Sequence, residues 1–149
     1  MEQVLNFDDG IFVFETVMRV RNIETGIGQQ LTLESLTTLL AEARARFFYS
    51  KGIKEVDAKR QGLIIDSLQL NMISRVHARD ELLFEIGIEK MFDESGNIAI
   101  KVSRMYDGSL VAKAREHFTH YDYQSDKRIP LGSVLKEALN QQPFMVLNT

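Results

Sequence analysis

The sequence predicts an α+β domain in which one long helix packs against a five-stranded antiparallel sheet. Two features carry this expectation: a single segment with an apolar stripe at three- and four-residue spacing, and five segments in which apolar and polar residues alternate. A third is the short links between the later alternating segments, which suit hairpins and leave no room for parallel crossovers.

The first alternating segment runs from Ile11 to Arg21, with Phe12, Phe14, Met18 and Val20 on one side and Glu15, Arg19 and Arg21 on the other. Asn22 to Gln30 breaks the pattern, and Gly26 and Gly28 allow this loop to turn tightly or bring backbone close to a ligand. Leu31 to Ser50 is the helix, with Leu33, Leu36, Leu40, Ala43 and Phe47 as its stripe. Thr32 is placed to cap it, Glu34 sits in the first turn where the dipole favours an anion, and Gly52 follows Lys51 as a stop.

After a polar connection, Lys54 to Gln61, strands are expected over Gly62 to Ile73, Glu81 to Phe92, Ile98 to Met105 and Leu110 to Tyr123. Asp93 to Asn97 reads as a longer hairpin loop, and Asp107-Gly108 as a two-residue hairpin turn. Leu82, Phe84, Ile86 and Ile88 set against Glu85 and Glu89 give the third strand one dry side. Pro130 ends the sheet, Gly132 to Gln141 forms a short helix carrying Val134, Leu135 and Leu139, and Gln142 to Thr149 reads as a loosely held tail. A lone helix covers only part of such a sheet, so an exposed edge or face is expected to pair with a second copy.

Bulk properties bound the function. The 149 residues fit one domain, 1–149, and 44% hydrophobic with 26% charged residues is the composition of a folded globular protein. A net charge of −3 provides no general attraction for a nucleic-acid backbone, so nucleic acid is not an expected partner. The absence of cysteine excludes a disulfide framework, a thiolate nucleophile and a sulfur-based zinc site, and fits a reducing compartment, with the cytoplasm as the expected location. The acidic first ten residues do not read as a signal or transit peptide, and no membrane span is expected.

The runs Met18-Arg19-Val20 and Glu24-Thr25-Gly26-Ile27-Gly28-Gln29, followed by Glu42-Ala43-Arg44, form an ordered set of landmarks. Gly62-Leu63-Ile64-Ile65, Asp80-Glu81-Leu82, and Tyr121-Asp122 with Arg128-Ile129-Pro130-Leu131 continue it. Over Val17 to Leu139 the set resembles the 4-hydroxybenzoyl-CoA thioesterase family of hot-dog proteins, within the acyl-CoA thioesterase superfamily. There the first strand runs into an Asp-Thr-Asp loop, followed at fixed spacing by a long helix with a Glu-Ala-Arg sequence. The resemblance implies a hot-dog fold, edge-to-edge pairing into a homodimer or tetramer, and a thioester site at the interface. The implied substrate is an acyl-CoA or acyl-carrier-protein thioester, with no cofactor beyond the coenzyme A carried by the substrate.

One departure bears on mechanism. In the family the second Asp of the loop supplies the carboxylate that activates water or attacks the thioester, and counting sixteen residues back from Glu42 places Gly26 there. General acid-base assistance is worth about 10² to 10⁴ in rate, so the carboxylate must come from elsewhere, the mechanism must differ, or hydrolysis must be poor. Glu24, two residues away, and Glu34, in the first helical turn, are the catalytic candidates. Their plain alternatives are a solvated loop carboxylate and a helix-dipole partner.

Gly26, Gly28, Gln29 and Gln30 are expected to line the substrate's approach to the helix, and Arg75, His77 and Arg79 to meet coenzyme A phosphates, although such clusters are commonly only solvated turns. Glu42 reads as a structural helix residue, and His77, His117 and His120 lack a metal-site spacing. Two functions remain open: thioester hydrolysis, and a non-hydrolytic hot-dog protein that binds an acyl thioester or serves a biosynthetic pathway.

Overall fold

Five long antiparallel strands surround one long helix in the computed structural model, which describes residues 5–140. The strands are β1 (Phe12–Arg19), β2 (Gln61–Met72), β3 (Glu81–Met91), β4 (Ser95–Arg104) and β5 (Leu110–Asp122), with a two-residue β6 (Lys127–Arg128) paired to the end of β5. The helices are α1 (Leu33–Ser50), between β1 and β2, and α2 (Gly132–Asn140), after β6. The sheet order is β1-β3-β4-β5-β2, so β1 and β2 are its edges. This is the strand-wrapped central helix implied by the resemblance. The expected tail, Gln142 to Thr149, lies outside the described residues.

Hydrophobic periodicity explains the layering. Leu36, Leu39, Leu40, Ala43 and Phe47 of α1 are buried against Phe84 and Ile86 of β3, Ile98 and Ile100 of β4, and Ala114 and Phe118 of β5. Full burial of one such side chain contributes about 1.5 to 3 kcal/mol, so this stripe carries much of the domain's stability. Phe47 sits 5.7 Å from the Phe14 ring, tying the helix to β1. Thr32 caps α1 as expected, its hydroxyl accepting from the Ser35 amide at 3.1 Å, and Gly52 takes φ 72° just beyond the C-terminus.

Several local expectations change. The helix begins at Leu33 rather than Leu31, and Leu33 is half exposed because it occupies the first turn beyond the core; Leu39 completes the buried stripe instead. Strand β1 is shorter than Ile11 to Arg21, giving way to a short 3-10 turn at Asn22–Glu24. Ser95, Gly96 and Asn97, expected in a loop, are paired with Thr119, Phe118 and His117 as the start of β4. Gly96 disguises this strand because the Phe118 ring occupies the space of a side chain: a Cβ at 96 would lie 2.5 Å from Cζ. The Asp107-Gly108 turn widens to residues 105–109, since Asp107 Oδ1 accepts from the Ser109 amide and hydroxyl and makes its own local turn.

Candidate active site

The loop between β1 and α1 is stitched into a three-lane ribbon. Thr25 bridges Leu31, and the Thr32 amide donates to the Glu24 carbonyl at 3.2 Å. On the other side Gln30 bridges His77, with Leu31 N–H donating to Val76 O at 2.7 Å and Ala78 N–H to Gln29 O at 3.1 Å. The structure therefore brings together two groups far apart in sequence: Gly26 to Gln30, and Arg75 to Arg79. Gly28 turns the ribbon with φ 79°, a conformation that suits glycine, and Gln29 follows at φ 58°. Arg79, in the facing lane, has φ 76°. Two of the four described non-glycine residues with positive φ thus border the ribbon, a concentration of backbone strain found at ligand sites.

The ribbon delivers the chain to the N-terminus of α1. Ser35 N–H is taken by the Thr32 cap and Leu36 N–H by the Thr32 carbonyl at 3.0 Å. Among the described residues nothing accepts the Leu33 and Glu34 amides, and both residues are exposed. Such amides can polarise a carbonyl oxygen or hold an anion. Gly26 is exposed, and a Cβ built there would meet Thr32 Cγ2 at 3.0 Å. A side chain at position 26 would therefore point at the cap of this helix.

The two candidate carboxylates are in different situations. Glu34 is exposed, and its carboxylate has no hydrogen bond or ion pair among the described residues. Glu24 is 5% exposed. One of its oxygens accepts from the Arg21 amide at 2.8 Å and the other from Arg21 Nη2 at 3.0 Å. Burial works to raise the Glu24 pKa, but the Arg21 hydrogen bonds and charge outweigh it and hold the group below the usual glutamate range. Glu24 also lines a cleft of about 500 Å³ between β1 and α1, together with Met18, Thr38, Leu39 and Glu42.

Glu42, the other acid of that cleft, binds Arg46 Nε at 2.8 Å; Arg46 in turn donates to Thr16 Oγ1 at 2.8 Å and to Val17 O at 3.3 Å. It thereby fastens α1 to β1. Arg75, His77 and Arg79 are all exposed. His77 N–H is fixed by Asp80 Oδ2 at 3.0 Å, and no carboxylate pairs with Arg75 or Arg79 among the described residues.

Some organising residues escaped the sequence reading. Arg21 could have been found, because a basic residue three positions before Glu24 is a local helix-turn pairing. The pair between Arg44 Nη1 and Glu116 Oε2, at 2.8 Å, joins α1 to β5 and left no local signal. Neither did the cluster on the opposite sheet face, where Asp66 contacts His117 Nδ1 at 2.6 Å and accepts from Thr119 Oγ1 at 2.7 Å. Phe48 and Tyr49 border a groove of about 1010 Å³ whose other apolar walls include Ile53, Leu63, Ile65 and Tyr123, whereas Phe47 is wholly in the core. Among the described residues no three His, Asp or Glu side chains gather as metal ligands, and no helix is long and apolar enough to cross a membrane.

Known structures share this architecture. A 1,4-dihydroxy-2-naphthoyl-CoA thioesterase from Synechocystis is 16% identical, with a TM-score of 0.78 over 85% of this chain and 95% of its own. A Staphylococcus aureus protein solved in complex with CoA is 12% identical, with a TM-score of 0.81 over 97% of this chain and 92% of its own. A thioesterase superfamily protein from Jannaschia is 10% identical, with a TM-score of 0.78 over 86% and 81%. These likenesses establish the hot-dog fold. A search of curated proteins finds no match to the sequence. The profile of the thioesterase-like superfamily matches residues 30–139, which span α1 and the whole of the sheet except β1, and the chain belongs to that superfamily.

Proposed function

We propose that this protein hydrolyses an acyl thioester carried by coenzyme A or an acyl carrier protein, with the thioester carbonyl held by the first-turn amides of α1. The single observation behind this reading is the open helix N-terminus: two amides of exposed residues without an acceptor among the described residues, reached by a glycine-bearing strained ribbon and flanked by arginines that pair with no described carboxylate. An oxyanion donor of this kind is worth about 2.7 to 4 kcal/mol of transition-state stabilisation. Superfamily membership agrees with thioester chemistry.

Gly26 leaves the family's usual carboxylate position empty, so the water must be oriented by another group. Glu34, in the same helical turn as the amides, has a carboxylate without a partner among the described residues. Glu24 is held ionised by Arg21 and can act only as a fixed acceptor unless Arg21 releases it. Gln29 and Gln30 supply amide groups to the substrate carbonyl or water, and Arg75, His77 and Arg79 supply cationic contacts to phosphate. The groove beside Phe48 and Tyr49 lies at the other end of α1, roughly 20 Å along the helix from the first-turn amides, and is not part of this site. The outer edge of β2, which pairs with no other strand among the described residues, would be the place for pairing with a second copy into a homodimer or larger assembly. The reading places the reaction in the cytoplasm and calls on no cofactor other than the coenzyme A of a substrate.

The test is thiol release from a panel of acyl-CoAs and acyl carrier proteins. Glu34→Gln is expected to lower kcat by about 10² to 10⁴ with KM little changed, and Glu24→Gln to have a smaller effect. Gly26→Asp, whose new side chain needs Thr32 to give by a few tenths of an ångström, is expected to raise turnover. Tight binding of the thioesters with no thiol release from wild type would leave the non-hydrolytic alternative, a binding protein opened by Gly26, in its place.

A further inference from the structure

The sheet face away from α1 carries a polar row that the thioester reading does not use. Ser67 of β2 and Asn97 of β4 are the partners of His117 on either side of β5, and Lys90 of β3 is the partner of Asn97. Residues opposite one another in adjacent strands share a face, so four strands set these side chains in one line, about 4.8 Å from strand to strand. All four line one cavity of about 510 Å³. A β-bulge stands at each end of the row: the register slips between Ile65 and Ser67, and again between Ile88 and Lys90. Each slip lets two successive residues face outward where a regular strand would alternate, and each adds a carboxylate to this face, Asp66 or Glu89. Bulges concentrate beside functional sites, where they re-aim side chains.

The two added carboxylates are already occupied. Glu89 accepts from Arg115 Nε at 2.6 Å and Nη2 at 2.7 Å, and Gln69 Oε1 accepts from Arg115 Nη1 at 2.8 Å. The Phe7 ring lies 5.4 Å from the same guanidinium, so this wall of the cavity is held in place from a second direction. Asp66 accepts from Thr119 Oγ1 with one oxygen and contacts His117 Nδ1 with the other. The row itself is unoccupied by comparison. Among the described residues Lys90 pairs with no carboxylate, and His117 Nε2 and the side chains of Asn97 and Ser67 make no hydrogen bond. The cavity thus offers unused donors and one uncompensated cation, while its acids have no oxygen left without a partner.

We propose that this row binds a phosphate group, at a site separate from the α1 amides. Lys90 supplies the charge and Asn97 an amide donor from the next strand. His117, held at Nδ1 by Asp66, presents Nε2 as a donor in its protonated form and as an acceptor for a phosphate hydroxyl in its neutral form. Three groups on three strands suit an oxyanion with three or more oxygens better than a carboxylate with two. Ser67 and Gln69 continue the cavity past His117, and its volume is in the range of small-molecule sites, which leaves room for the hydroxylated body of a phosphate ester.

The test is calorimetric titration of the full chain with inorganic phosphate, ribose 5-phosphate and ribose at fixed ionic strength. Binding of the phosphates and none of ribose is expected. Tighter binding of the ester would assign the site to phosphate esters, and an ester that binds no better would assign it to inorganic phosphate. Lys90→Gln, an exposed substitution, should raise Kd about tenfold, and Asn97→Ala should raise it less. Lys113→Gln, two residues from Arg115 along β5 and outside the cavity, should leave Kd unchanged. Absence of binding of either phosphate at millimolar concentration would overturn the proposal. So would an unaltered Kd in Lys90→Gln, or a loss in Lys113→Gln as large as in Lys90→Gln, which would reduce the effect to general charge. The titration stands apart from thiol release, so either result holds whether or not thioesters are hydrolysed.

Discussion

Glu24 and Glu116 are both almost completely buried, and each is bonded to one arginine, yet their acidities shift in opposite directions. Glu24 has both oxygens filled, by the Arg21 amide and guanidinium, and its pKa falls in spite of burial. Glu116 accepts one bond, from Arg44 Nη1, while its Oε1 is buried with no partner among the described residues, and burial raises its pKa against the attraction of Arg44. The difference lies both in how many donors reach the carboxylate and in how much protein surrounds it, since burial dominates at Glu116 and is outweighed by the Arg21 donors at Glu24. A loop near the surface can fold its own backbone around a carboxylate. A side chain projecting from the middle of β5 meets only what α1 presents across the core.

That contrast can be broken most severely at Arg44. Arg44→Met removes the one group that hydrogen-bonds Glu116 in the core and is expected to cost about 3 to 5 kcal/mol in urea unfolding at neutral pH. A cost near zero would mean that Glu116 is already neutral or hydrated. Replacing both partners, Arg44→Met with Glu116→Leu, is expected to recover most of that loss, because a buried pair contributes little beyond an apolar pair of similar size.

The pH dependence sharpens the comparison. The stabilisation from Glu24, whose folded pKa is lowered, is present above the ordinary glutamate value of about 4.3 and is lost as pH falls through the folded value. Glu24→Gln should therefore flatten the acid side of a stability curve. Glu116 behaves oppositely: its folded pKa is raised, so its favourable contribution is present below about pH 4.3 and is lost as pH rises through the folded value. Glu116→Gln should remove that decline, and identical slopes in the two variants would erase the distinction. The smallest effect is expected at the exposed helix pair of Glu42 and Arg46, where Glu42→Ala should cost only about 0.3 to 0.5 kcal/mol by thermal unfolding.

The candidate site was legible in pieces. The glycine-bearing loop, the cap at Thr32 and the first-turn Glu34 could be read because each concerns residues within one turn of one another. The sequence also nominated Arg75, His77 and Arg79, without any indication that their segment would pair with Gln29 to Leu31. It did not distinguish the free carboxylate of Glu34 from the occupied one of Glu24, since occupancy depends on where the Arg21 side chain folds. At Gly96 it favoured a loop over a strand, because the missing side chain is explained only by a ring on the neighbouring strand.

Alone, the order of residues determined the helix, the alternating strands and the capped helix start, because periodicity and capping are settled between neighbours a few positions apart. The three-dimensional fold decided which lane lies beside which, and so that Arg44 would meet Glu116 and that His77 would stand across from Gln30. Those meetings join residues 72 and 47 positions apart. No local preference encodes them; they follow from the strand order that buries the apolar face of every element at once.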